Sequence, residues 1–376
     1  MRLKVKIITL LICGTLGVGS MALLFAISEN ITHYHNRFIR RFPQHVAEEV
    51  RQMDLIYNSY YFAGCENGKI YLGNYTAPLQ VMVLDTALKT KIIYRIKLGQ
   101  KNLPFRGPQI RVSKGNFYVF EGIVPYVFKG AISDWNATLR INKGIHFSQL
   151  TPIDSVNMAV RYMSPKNGES IIGTLNLADT ANPKYNASLL QRQFDGKFDT
   201  DGNLLYDSSL NRIVYVYLYR NQFIVAQPDL KLVYRGKTID TVSHAQIRLI
   251  QLKNSNQRTF AVPPLVVNRL SAVTGNLLFV NSELPGMYES EDIWKRASII
   301  DVYDLTDQTY RSSFPVYKID GKKMKAMLVH QNYLFALIDK KIVCYKLREY
   351  LTQSHPASDP HPQLLSEGEG SKLQSR

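Results

Sequence analysis

Asp201–Thr241 reads DGNLLYDSSLNRIVYVYLYRNQFIVAQPDLKLVYRGKTIDT, a succession of short runs of Val, Ile, Leu, Tyr and Phe broken by Gly, Asn and Asp. β-Branched and aromatic residues suit a pleated, half-buried surface, and turn residues at close intervals mark the ends of strands. The stretch therefore predicts antiparallel strands, with Tyr215–Tyr219 and Phe223–Ala226 joined by a polar turn at Arg220-Asn221-Gln222. Its opening phrase, Gly202-Asn203-Leu204-Leu205-Tyr206, has relatives elsewhere in the chain. Asn67-Gly68-Lys69-Ile70-Tyr71-Leu72, Gly115-Asn116-Phe117-Tyr118-Val119 and Gly275-Asn276-Leu277-Leu278-Phe279 share a turn followed by an alternating strand. Gly168 before Ile171-Ile172-Gly173, and Gln331-Asn332-Tyr333-Leu334-Phe335, are looser copies. Successive copies lie 34 to 73 residues apart, and the average is near the size of a four-stranded propeller blade. One small sheet cannot bury both of its faces, whereas several packed radially can. The expected fold is all-β, a β-propeller over residues 54–350. The number of copies points to six blades, and their uneven spacing leaves five or seven open.

Asp201–Thr241, and more weakly Cys65-Glu66-Asn67-Gly68-Lys69 and Asp339–Leu347, resemble a group of single-anchor, propeller-like proteins of Bacteroidota cell envelopes. The resemblance spans most of the chain after residue 54 and rests on turns and strands. It implies a six-bladed fold and an envelope setting, and it carries over no functional residue.

Ahead of the β-rich body, the 21 residues from Ile7 to Ile27 hold no charge and follow Arg2, Lys4 and Lys6. At about 1.5 Å of rise per residue, such a run crosses a hydrocarbon core of about 30 Å. Residues 1–28 are therefore expected to be a transmembrane anchor, with the membrane a partner through residues 7–27. The alternative is a cleaved leader, because Ala26-Ile27-Ser28 offers small residues at alternate positions; the run is longer than the usual h-region of such leaders. Cys13 does not sit in a lipidation setting, since Ile12 precedes it where a small residue is required. Arg37, Arg40 and Arg41 balance the basic residues on the near side, but the near cluster abuts the membrane. This favours an inner-membrane protein with its globular part on the periplasmic side. Residues 29–53 are polar and basic and read as a juxtamembrane stalk with a short helix after Pro43; residues 351–376 read as a disordered tail.

The 376 residues are 45% hydrophobic and 20% charged, enough for a large core. A net charge of +16 implies attraction to an acidic partner such as an anionic envelope polymer, although the positives are scattered. Nucleic acid is not an expected partner, because no basic stripe interleaved with aromatics and no recognisable module is present. Three cysteines give little redox information. Cys65 and Cys344 lie near the two ends of the globular part, so a head-to-tail fold could bring them together as a disulfide; the alternative is a pair of buried thiols.

Candidate chemistry is sparse. His33 and His35 lack neighbouring ligands and read as solvated. Asp199-Thr200-Asp201-Gly202-Asn203 has alternating carboxylates before a glycine, but the glycine arrives too early for an EF-hand loop, and a turn is expected instead. Arg220-Asn221-Gln222 has two readings. One is a hairpin turn exploiting the tolerance of Asn for positive φ; the other is a polar trio holding an anionic ligand by charge-assisted hydrogen bonds. His146, His244 and His330 are dispersed, and no nucleophile motif is present. Sequons begin at Asn30, Asn74, Asn136 and Asn186, and would matter only in a eukaryotic secretory pathway. No cofactor is expected, no metal site is assigned and no catalytic residue is named.

The leading functional expectation is a non-catalytic binding or scaffold module, presenting loops to a protein partner or an anionic polymer. The alternative is a membrane-tethered hydrolase or lyase with residues gathered across the central funnel, where no local motif would betray them. A redox accessory role would rest on Cys65 and Cys344 alone.

Overall fold

The structure, a computed structural model, describes residues 2–32, 37–100, 102–142, 145–164, 166–179, 182–251 and 258–348. His33, His35 and the 351–376 tail fall outside the described residues.

Six small antiparallel sheets form a closed ring, so the six-bladed expectation is met. Blade I spans 60–95, blade II 109–141, blade III 147–186, blade IV 202–237 and blade V 268–317; blade VI combines 324–347 with an N-terminal strand. Each is a four-stranded meander, and blade II gains a fifth, parallel strand at Lys97–Leu98. The first strands of consecutive blades touch one another in turn, and Met324–His330 returns to Tyr60–Glu66.

The hydrophobic core follows from this arrangement. Six apolar clusters fill the six gaps between neighbouring blades. Between blades V and VI, for instance, Phe279 and Ile300 meet Leu334 and Val343. The middle strands are buried on both faces, as in Leu277–Ser282 and Ala297–Asp304, which explains their continuous apolar runs.

Ring closure corrects the stalk expectation. Ala47–Asp54 is a strand, not a helix, and pairs antiparallel with Lys341–Leu347 from Ala47↔Leu347 to Asp54↔Lys341. It supplies the outermost strand of blade VI, so the two ends of the globular part are zipped together by main-chain hydrogen bonds. Further upstream, Phe38 accepts a hydrogen bond from Met287 N at 3.0 Å and Arg41 accepts one from Ser313 N at 2.8 Å. The strand that closes the ring begins at Ala47, and the segment ahead of it is already bonded to blade V.

The repeated phrases also divide into kinds. Asn67-Gly68 and Lys114-Gly115 have positive φ at both positions and form the tight turn between first and second strands; Gly275 and Gln331 stand at the equivalent turns. Gly202 instead opens the first strand of blade IV, and Gly168 lies between the second and third strands of blade III. At Gly202 a Cβ would stand 2.2 Å from Val216 O, so close approach, not turn geometry, requires the glycine. Two copies out of phase account for the uneven spacing.

Arg2–Thr32 is one helix, and its Lys6–Phe25 portion is long and apolar enough to cross a membrane. The chain is thus of the membrane-anchored or exported kind.

Candidate functional site

Blade IV carries the trio singled out in the sequence. Its second and third strands, Arg212–Tyr217 and Gln222–Ala226, are joined by Leu218–Asn221. The turn is shaped by tertiary bonds: Val267 N and Asn268 N donate to Leu218 O, and the Asn268 amide donates to the carbonyls of Tyr217 and Arg220, each at 3.0 Å. The trio stands at the turn between two paired antiparallel strands, as the hairpin reading expects, but Asn221 does not adopt positive φ. Its backbone N donates to Val242 O at 2.8 Å, its side-chain amide donates to Asp240 O at 2.6 Å, and its carbonyl accepts from Thr238 N. Asn221 is therefore a clamp on the crossing from blade IV to blade V.

Arg220 is the largest fully buried side chain among the described residues, at 1% exposure. Its guanidinium carbon lies 3.6 Å from the centroid of the Tyr217 ring, and Nη2 donates to Gln191 O at 2.7 Å. Nε and Nη1 have no hydrogen-bond partner. A guanidinium offers five N–H donors in a fixed fork, and the three on Nε and Nη1 all stand unused here. Leaving buried charged donors unmet costs more than leaving neutral ones unmet, and a resident carboxylate would relieve that cost.

None is present. A cleft of about 460 Å³ is lined by Gln191, Arg192, Gln193, Arg220, Asn221, Gln222, Lys237, Ser243 and His244. It gathers three chain segments: the crossing into blade IV, the turn within it, and the crossing out of it. The Gln193 amide bridges two of them, donating from Nε2 to Ser243 O at 2.8 Å and accepting from Ala245 N at 2.8 Å. Gln191 N donates to Tyr217 Oη at 2.9 Å, and Gln222 Nε2 donates to Gln191 Oε1 at 3.2 Å. Ser243 Oγ lies 3.0 Å from His244 Nδ1. Three basic side chains, an imidazole and several amides line the space, and among the described residues no carboxylate does. Arg192 is the one with a counter-ion, Glu169 at 2.5 Å. Chemically the cleft presents basic side chains and amides to an anion, while Nε and Nη1 of Arg220 lie buried beneath its surface.

Carboxylates close behind the cleft are held elsewhere. Asp199 accepts from the backbone N–H groups of Gln193, Phe194 and Gly196. Burial works against its ionisation, but these bonds outweigh it and hold the carboxyl below its ordinary value. Asp201 pairs with Arg161. The Asp199–Asp201 stretch is therefore a hydrogen-bonded turn, with its carboxylates engaged by the protein itself. Asp240 accepts from Val242 N and from the Thr238 hydroxyl, while burial pushes its pKa up to about 6.

Cys65 and Cys344 do share one apolar cluster, at the closure between blades VI and I, but both are free thiols. No bridge joins them. Burial pushes Cys65 up to about 12 and Cys344 up to about 11, which leaves neither with thiolate character at neutral pH. His146 Nδ1 lies 3.1 Å from Ile123 O, and burial lowers the pKa of His330. Of the dispersed histidines, only His244 reaches the cleft. Arg192, Lys237 and His244 are not legible as partners of Arg220, because Arg192 and His244 arrive from separate crossings and Lys237 from the end of the fourth strand of blade IV.

No protein-family model matches the chain, and no curated protein resembles it in sequence. Among solved structures, a member of the DUF4221 family from Bacteroides vulgatus aligns over 81% of this chain and 99% of its own, with 13% identity and a TM-score of 0.50. The likeness is one of fold alone. A structural-genomics protein of unknown function from Bacteroides thetaiotaomicron covers 82% of this chain and 75% of its own, at 11% identity and TM-score 0.47. A candidate exported protein from Bacteroides fragilis covers 80% and 94%, at 8% identity and TM-score 0.47.

Proposed function

We propose that this protein is a membrane-tethered, non-catalytic binding module that captures an anionic group of an envelope polymer in the blade IV cleft. The carrying observation is the buried Arg220 with Nε and Nη1 unpartnered, in a cleft lined by Arg192, Lys237 and His244 and by no carboxylate. A phosphate or carboxylate entering the cleft would accept from Nε and Nη1 of Arg220 once the groups that cover them shift, with Lys237 adding long-range attraction. The globular part stands on the periplasmic side of the inner membrane in this reading, where such polymers are found. An acidic protein segment is the other ligand of matching chemistry.

The test is calorimetric titration of the full chain in detergent with polyphosphate, polygalacturonate and neutral dextran. Binding of one or both polyanions, absent for dextran, is expected. Lys237 is exposed, so Lys237→Ala should keep the fold and weaken binding by about tenfold, the scale of one charge-assisted contact. Equal heats for dextran and the polyanions, or no binding by any polymer, would refute the proposal.

A further inference from the structure

The meander of each blade sorts its connections between two faces. Turns between second and third strands, and crossings from blade to blade, open on one face. Turns between first and second strands, and between third and fourth, open on the other. Large apolar side chains that remain exposed in connections are confined to the first of these faces. Tyr75, Ile123 and Tyr288 stand in second-to-third-strand turns of blades I, II and V, while Ile56, Phe194 and Val262 stand in crossings. Among the described residues, the opposite face has no large apolar side chain exposed in its turns; Leu88, Trp135, Leu230 and Leu305 are all buried there. Scattered exposed apolar residues are ordinary on a soluble surface, but segregation to one face is not.

The tether tells what covers that face. The N-terminal helix ends at Thr32, and Phe38 is already bonded to Met287 in the second-to-third-strand turn of blade V. Six residues span at most about 20 Å. From Phe38 the chain runs down the outer side of blade V past Tyr310 and Ser313, and enters blade VI from the opposite face at Ala47. The first part of the ring met after the membrane is thus the apolar face, at Tyr288, which is 78% exposed, and Ile39 beside it.

We propose that this face rests on the bilayer that the N-terminal helix crosses, with its tyrosines at the headgroup level and its aliphatic side chains in the acyl boundary. The inference rests on the helix being a retained anchor and is independent of the Arg220 cleft. The cleft opens on the same face, so its anionic ligand is one presented at the membrane surface.

The experiment uses the full chain, its N-terminus verified by intact mass, in zwitterionic lipid nanodiscs. A Cys13→Ser background carries an environment-sensitive fluorophore at Tyr288→Cys, Ile123→Cys or, on the opposite face, Lys89→Cys. With nitroxide-labelled lipid, positions 288 and 123 should lose most of their emission and position 89 should keep it. Equal loss on both faces, loss at position 288 alone, or no loss anywhere would overturn the proposal. On the unsubstituted chain, hydroxyl-radical oxidation of Tyr75, Ile123 and Tyr288 should fall relative to the outer-strand Tyr185 when detergent is replaced by nanodiscs; unchanged ratios would overturn it. Because no polyanion is present, failure here is distinct from failure of the cleft to bind one.

Discussion

Arg40 and Arg220 are both buried, both stack on aromatic rings, and differ in what surrounds them. Arg40 Nε donates to Asp301 Oδ1 at 2.6 Å, Nη1 to Glu289 Oε1 at 2.8 Å and Nη2 to Ser282 Oγ at 2.8 Å. Desolvation works against its charge, but Asp301 and Glu289 outweigh that and raise its pKa. Among the described residues, Arg220 has a single hydrogen bond from its guanidinium, to a backbone carbonyl, and no carboxylate partner. A buried guanidinium enclosed by acids is committed to the fold: it pins the N-terminal segment onto blade V. One left without acids has donors that the fold itself does not use, which is what the proposed anion site rests on.

The contrast is open to direct attack, and the largest effect should come from Arg40. Arg40→Met leaves Asp301, itself 2% exposed, without its cationic partner, and should destabilise the ring by about 3–5 kcal/mol in chemical denaturation. Arg220→Met removes an under-satisfied charge, so its stability should change by less than about 1 kcal/mol while anion binding disappears. Similar losses of stability for both would break the distinction.

Asp240 sharpens the comparison, because it is a buried carboxylate near the cleft with no cationic partner. Its folded pKa is raised from 3.8 to about 6, so the protonated form is the one the fold favours. The sign follows: its contribution is full below pH about 4 and is lost as pH rises through about 6. Asp240→Asn should therefore gain on the parent chain between pH 4 and pH 7, by about 1–2 kcal/mol at neutrality, measured as a pH series of melting temperatures. A gain that shrinks as pH rises would be contrary to this account.

The smallest effect concerns the thiols. Reductant should leave the melting temperature unchanged, and Cys65 and Cys344 should resist alkylation in the native state. A drop on reduction would show that a covalent link shares the closing role assigned here to Ala47–Asp54 and Arg40.

Much of the ring was readable from the chain itself because blade strands announce themselves. Phe117–Phe120 or Leu277–Val280 are apolar on both faces, and Asn67-Gly68 can hardly be anything but a tight turn. The closing strand was not readable for the converse reason. Ala47–Asp54, AEEVRQMD, is an outermost strand with little to bury, held by its main chain, so it has no apolar alternation to detect. Arg40 looked like one of three flanking positives because its acidic partners lie about 250 positions away. In the cleft, Arg220-Asn221-Gln222 stood out as a polar trio between apolar runs, but its two arms proved different in kind: Asn221 fastens a crossing, whereas Arg220 is the free donor. Lys237 and His244 gave no signal, since one comes from a neighbouring strand and the other from a crossing, and such convergence leaves no spacing to read.

The most direct test of the central claim is titration of polyphosphate into full-length Arg220→Met and Arg220→Lys beside the parent chain. The account expects binding to vanish with Met and to survive, weakened, with Lys, which keeps the charge but not the fork. Undiminished affinity in Arg220→Met, with a native melting profile, would contradict it.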